Sequence, residues 1–312
     1  MRNVSLANLK RAVRNPRLFV REGHRLLSWP LHRINAYYLD RTLPEASDVL
    51  DRDWDTLVIL DACRYDYFES HNWIPGDLDP TVVDGNRSWE FMQNNFVGRQ
   101  AHDTVYVTAN PYADQIPDET FHYVDYLTDR WNAEIGTVFP EDVREAAIEA
   151  NREYPNKRLI VHFMQPHRPY LGPTAEELRS RIDLKGFRNE GDGLQIWGAA
   201  KQKDVTVEEI RRAYAESLDT VLEEAEALVE ALDGKTVITA DHGEMLGERV
   251  FPVTSRVWGH SEGFSTRKLR TVPWLSIESD ERREITTDAP ETSEELQDDS
   301  VSERLEALGY RE

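Results

Sequence analysis

Asp241 and His242 stand side by side just past the apolar run Lys235 to Thr239 (KTVIT), with Gly243 next. A carboxylate and an imidazole in sequence can both reach one cation if the backbone turns there, and a glycine permits the turn. The pair suits Zn, Mn or Fe, and carboxylates alone suit Mg or Ca. Asp61 follows directly on Asp55 to Leu60 (DTLVIL). A carboxylate at the end of a wholly apolar run is costly unless it is solvated, paired or bound to a metal. Taken alone, Asp-His-Gly also suits a surface turn, and Asp61 also suits a cap on a helix starting near Arg64. His167 lies past a third apolar run, Arg158 to Met164 (RLIVHFM).

Those three runs are short and rich in branched residues, as buried parallel strands are. Further strands are expected at Asp103 to Thr108 and Arg270 to Ile277. Helices are expected from about Arg64, over Ser88 to Phe96 with Ser88 as N-cap, and over Glu141 to Tyr154. The longest helix is expected over Thr206 to Leu232, where Ile210, Ala213, Leu218, Val221, Leu222, Ala225 and Leu228 recur at helical spacing. Asp280 to Asp299 is acidic and poor in apolar residues and reads as a linker or loop, and Val301 to Leu308 reads as a closing helix. Strands alternating with helices give an α/β fold: a doubly wound, mainly parallel sheet with helices on both faces. Ligands bind such sheets beyond the C-terminal ends of the strands, where Asp61, His167, Asp241 and His242 all lie.

Six segments, in order, resemble the alkaline phosphatase and sulfatase superfamily. Val58-Ile59-Leu60-Asp61-Ala62-Cys63-Arg64-Tyr65-Asp66 is similar to its first-strand motif. Val161 to Tyr170 (VHFMQPHRPY) resembles the central strand with its His-x-Pro, and Thr239 to Glu248 (TADHGEMLGE) the second metal motif. Trp258 to Gly263 (WGHSEG) resembles the late histidine segment, Val272-Pro273-Trp274 the strand after it, and Arg304 to Tyr310 (RLEALGY) a common sulfatase-like ending.

The resemblance implies a metal held by Asp61, Asp241, His242 and a nucleophile between Asp61 and His162. Ser88, in Gly85-Asn86-Arg87-Ser88-Trp89, is the candidate, with Thr81 the fallback. A helix N-terminus offers N–H donors to an anionic ester, a hydroxyl beside a cation ionises more readily, and Arg87 could bind an ester oxygen. His167 and His260 are implied as contacts to the ester oxygens or leaving group, or as ligands of a second metal. The implied divalent metal is Mn, Zn, Mg or Ca, at one site with room for a second. The expected activity is hydrolysis or transfer of a phosphate mono- or diester. A sulfatase is the alternative, and a member that only binds anionic glycans or lipids is the rival from another class. The chain has Asp61-Ala62 where sulfatases carry adjacent carboxylates, and Ser88 lacks the C/S-x-P-x-R pattern. Cys63 reads as a small buried residue, His162 as a packed core histidine, and His102 and His122 have no supporting context.

The 312 residues carry 58 acids against 37 bases, a formal charge of −21. With only seven lysines, such acidity suits a protein from salty cytoplasm and excludes non-specific nucleic-acid binding by the body of the chain. Residues 1–41 are the exception, with nine basic and two acidic side chains, so the remainder carries −28. Their apolar residues fall at helical spacing, which makes residues 1–45 a basic amphipathic arm and 46–312 the catalytic domain. The arm could rest on an anionic membrane surface or on the acidic body itself. One cysteine excludes an internal disulfide, and no apolar stretch is long enough to span a membrane. A cytoplasmic protein, open to membrane association through the arm, is expected. A small-molecule, glycan or lipid ester is the expected substrate.

Overall fold

The computed structural model describes residues 48–182, 196–202, 204–250, 256–261 and 264–291, together with 34, 37, 39 and 41–46. The arm expected over residues 1–45 and the helix expected over Val301 to Leu308 thus lie largely or wholly outside the described residues.

The strands are β1 (Thr56–Leu60), β2 (Asp77–Val82), β3 (Ala101–Thr108), β4 (Phe121–Asp125), β5 (Arg158–Phe163), β6 (Thr236–Thr239), β7 (Leu246–Arg249), β8 (Arg256–Trp258) and β9 (Thr271–Ile277). The helices are α1 (Tyr65–His71), α2 (Ser88–Asn95), α3 (Pro140–Glu153), α4 (Pro173–Arg181), α5 (Ile196–Gln202), α6 (Val207–Ala231) and α7 (Arg267–Arg270). Seven strands form one sheet in the order β2-β9-β6-β1-β5-β3-β4, and β7 and β8 pair separately. Strands β6, β1, β5, β3 and β4 are parallel, whereas β9 runs antiparallel to both β6 and β2. The expected α/β architecture with a mainly parallel sheet is the one observed.

Every residue of β1 and β6 is buried, as a central parallel strand requires. Register decides where the chemistry goes. Leu60 pairs with Phe163, Ile59 with Thr239 and Thr108 with His162. The segments after β1, β3, β5 and β6 therefore all leave the sheet at one edge.

Helix α6 buries Ile210, Ala213, Tyr214, Ser217, Leu218, Val221, Leu222, Ala225 and Leu228 along one stripe. Thr206 and Glu209 close a reciprocal capping box at its start. Helix α2 places Phe96, its C-cap, edge-on against Tyr106 of β3 and Phe121 of β4. A second cluster gathers Tyr170, Leu178, Trp197, Ile210, Tyr214, Leu246 and Trp258 beside the edge where the strands end.

At the opposite edge, residues 280–291 have no regular structure, as expected, but they are tied down. Arg282 pairs with Asp53 and Asp55, Arg283 donates to the Thr56 hydroxyl, and buried Lys157 pairs with Asp288. No helix among the described residues is long and apolar enough to cross a membrane.

Candidate metal centre and active site

Asp61, Asp241 and His242 each lie just past the end of a strand, and all three are buried. One ligand atom from each lies within 4.8 Å of the others. His242 Nε2 stands 3.7 Å from Asp61 Oδ1 and 3.5 Å from Asp241 Oδ2. Ser88, at the start of α2, brings a fourth atom. Its hydroxyl donates to Asp61 Oδ2 at 3.2 Å and lies 3.3 Å from His242 Nε2. Ser88 is not the N-cap expected from the sequence: Arg87 takes that place, and Ser88 is the first helical residue. Its hydroxyl is thereby turned from the helix end toward the carboxylates.

The electrostatics of this group are unfavourable without a cation. His242 Nδ1 lies 2.8 Å from the Gly243 carbonyl, which can only accept, so the ring proton sits on Nδ1 and Nε2 presents a lone pair. That lone pair faces two buried carboxylates. Asp241 Oδ1 accepts from the Ala62 and His242 N–H groups, at 3.0 and 2.8 Å, while Oδ2 has no hydrogen-bond partner among the described residues. Burial and the neighbouring Asp241 push the Asp61 carboxyl well above its ordinary range, and burial lowers His242. Two carboxylates, an imidazole nitrogen and a hydroxyl form a donor set that suits a divalent metal. The cluster fits such an ion.

Behind the ligands stands a supporting layer. The Asn110 amide, just past β3, donates to Asp61 Oδ2 at 2.8 Å. Its signal was available in the sequence, since it lies past a strand end as Asp61 and Asp241 do. His162 is buried in β5, as expected of a packed histidine, yet it also borders the site. Its Nδ1 lies 2.8 Å from the Tyr106 hydroxyl and its Nε2 3.8 Å from Asp241 Oδ2. Burial pushes it down to about 4. Gly243 is needed for space: a Cβ there would lie 1.9 Å from the Lys268 carbonyl oxygen. Buried Arg64 donates to the Glu244 carbonyl at 3.3 Å and pairs with Glu248 at 2.5 Å and Asp66 at 2.6 Å. Burial opposes its charge, but those carboxylates outweigh it and raise the guanidinium.

His167 and His260 meet beside the first group. A ligand atom from each lies within 4.8 Å of one from Glu244. His260 Nδ1 is 3.2 Å from Glu244 Oε1, and the His260 ring is centred 4.4 Å from that of His242 and 5.2 Å from that of His167. Burial, then His260, lowers His167 well below the ordinary histidine value. Glu244 belongs to the Asp241-His242-Gly243-Glu244 run, but nothing in its spacing separates it from a surface acid.

The remaining candidates make other contacts. Arg87 pairs with Glu90 at 3.1 Å and is part-exposed. Thr81 sits on edge strand β2, where its hydroxyl accepts from Arg52 at 3.3 Å. Cys63 is buried and burial raises its thiol, as expected of a packing residue. His102 lies 2.9 Å from the Glu119 carbonyl and His122 3.6 Å from Glu291.

No family model matches the chain, and no curated protein matches it. Solved structures are similar in outline. The C-terminal periplasmic domain of EcEptC from Escherichia coli, in complex with Zn, is 15% identical with a TM-score of 0.49, over 77% of this chain and 78% of that one. A protein in the alkaline phosphatase superfamily from Vibrio parahaemolyticus is 15% identical with a TM-score of 0.41, over 73% and 60%. A 2-O GAG sulfatase is 12% identical with a TM-score of 0.42, over 71% and 63%. Similarity at this level assigns no chemistry to the residues above.

Proposed function

We propose that this chain is a metal-dependent phosphoester hydrolase or phosphotransferase of the alkaline phosphatase and sulfatase superfamily, with Ser88 as its nucleophile. One observation carries the reading: the Ser88 hydroxyl, at the first turn of a helix, touches both Asp61 and His242 of a buried donor set. Asp61, Asp241 and His242 would hold the metal, which when bound would polarise the ester and ease ionisation of the hydroxyl.

The residues divide the remaining work. Asp61 Oδ2 holds the Ser88 proton and fixes the direction of Oγ. The first turn of α2 offers backbone N–H groups and positive potential to the ester oxygens. Ser88 attacks in line: its proton passes to the Asp61 carboxylate that accepts its hydrogen bond, its Oγ–phosphorus bond forms as the bond to the leaving oxygen breaks, and the leaving oxygen takes up a proton from water. Water or an acceptor alcohol then takes the phosphoryl group and restores the serine. His167 and His260 would contact the ester oxygens or the leaving oxygen. Arg87, next to Ser88 at the start of α2, would bind an ester oxygen, and Thr81 on edge strand β2 has no part in this scheme. Ser88 is followed by Trp89 and Glu90 and lacks the C/S-x-P-x-R pattern, which favours phosphate over sulfate esters.

The test is a screen of phosphomonoesters, phosphodiesters and sulfate esters with Mn, Zn, Mg and Ca at several salt concentrations. Turnover of a phosphate ester, abolished by a chelator and restored by the ion, is expected. Faster turnover of sulfate esters would make the protein a sulfatase. Ligand binding with no turnover of any ester would leave the binding-only reading.

A further inference from the structure

We infer that Tyr214 is a positioning residue for the Asp61, Asp241 and His242 group. It reaches that group from the middle of α6, through the turn Asp61 to Arg64. This rests on the proposed metal centre and goes beyond it.

The turn is an awkward piece of backbone. Asp61 must leave β1 with its carboxylate aimed into the cluster, and the chain must reverse into α1 within three residues. It does so with Ala62 at φ 60°, the left-handed region that residues with a Cβ rarely adopt. Such a conformation persists only where surrounding groups hold it. The Cys63 N–H closes the turn on the Leu60 carbonyl at 3.3 Å, and the Tyr214 hydroxyl holds it from outside. It donates to the Ala62 carbonyl at 2.8 Å and accepts from the Arg64 N–H at 2.9 Å. One oxygen thus closes the two backbone groups that flank the reversal.

The third backbone group of the turn links this contact to the ligands. The Ala62 N–H donates to Asp241 Oδ1 at 3.0 Å. With Oδ1 engaged there and by the His242 N–H, Oδ2 is the oxygen that faces His242 Nε2. Tyr214 therefore acts on both carboxylates, on Asp61 through the chain and on Asp241 through the Ala62 peptide. The phenol itself has little freedom. It is buried, meets Tyr67 edge-on at 4.9 Å and Tyr170 edge-on at 6.0 Å. Nothing in the amphipathic pattern of α6 distinguishes it from a core aromatic.

The test compares Tyr214→Phe with Tyr170→Phe. Both keep the ring, and both remove one buried hydroxyl from the same aromatic cluster. The Tyr170 hydroxyl has no hydrogen-bond partner among the described residues, so its loss controls for packing. Each full-length protein is titrated with Zn and Mn by calorimetry, and its Co-substituted form is recorded in the visible region. A supporting group behind metal ligands typically sets affinity by about 10–100-fold. Tyr214→Phe is expected to weaken binding on that scale and to shift the Co bands, while Tyr170→Phe matches the parent in both. A Tyr214→Phe protein with parental affinity and bands overturns the inference and leaves the metal centre standing. If both variants weaken binding alike, the effect is one of packing and the inference fails. A parent that binds none of these ions overturns both the inference and the proposed function.

Discussion

Ser88 and His162 make the sharpest single-residue predictions. Because Arg87 is the cap of α2, Ser88→Ala removes no capping bond; it removes the bond to buried Asp61, and stability should change by about 1 kcal/mol. Turnover of a phosphate ester should fall by several orders of magnitude. Rate and unfolding measured on the same preparation decide the matter, and parental turnover would eliminate Ser88. His162 makes a prediction about pH in the metal-free protein. Its folded value is pushed down to about 4, so it contributes stability above the ordinary histidine value of about 6.5. That contribution is lost as pH falls from about 6.5 to about 4, up to roughly 3 kcal/mol. Asp61 acts in the opposite sense. Its raised value stabilises the acid side, and that stability is lost as pH rises through the folded value. The two are separated by comparing the parent with His162→Gln in urea at pH 7 and pH 4.5. The parent should lose more stability on acidification, and equal losses would show that His162 is not held neutral.

At the level of elements, what the sequence revealed depended on burial. Strands β1, β5 and β6 are buried along all or nearly all of their length and rich in branched residues, so their runs announced them, and with them the positions of Asp61, His167 and Asp241. Strand β2 (DLDPTV) is mostly exposed and carries a proline, and β4 (FHYVD) mixes polar and aromatic residues at the other edge, so neither matched a strand template. The direction of β9 was also hidden, because an apolar strand reads alike in both senses. The same limit applied within the site. Asn110 and Glu244 acquire meaning only from the partners the sheet brings to them, and Tyr214 only from a turn 150 residues away. Gly243 was legible as a turn residue, but the close passage of α7 that demands it was not. Gly243→Ala should force that backbone aside, at a cost of about 1–3 kcal/mol. It should also weaken metal binding, since Gly243 joins His242 to Glu244. Thermal unfolding and a metal titration on the variant check both effects. An alanine variant with parental values would show that the segment yields freely.

For the molecule as a whole, charge and topology both have measurable outcomes. Residues 42–312 carry −28, and self-repulsion of that size is screened by salt. The melting temperature should rise between low and molar salt, and indifference to salt would mean that the acidity serves something other than tolerance of brine. Topology bears on synthesis. Strand β1 lies between β5 and β6 in the finished sheet, yet it is made about a hundred residues before the first of them. At roughly 5–20 residues per second, the ribosome needs about 5–20 s to supply β5, and longer to supply β6. Throughout that interval Thr56 to Leu60 is an unpaired apolar strand on a growing chain. A fully buried segment of the native protein is thus an exposed hazard during its birth, and delaying the arrival of β5 and β6 should raise aggregation of the nascent chain.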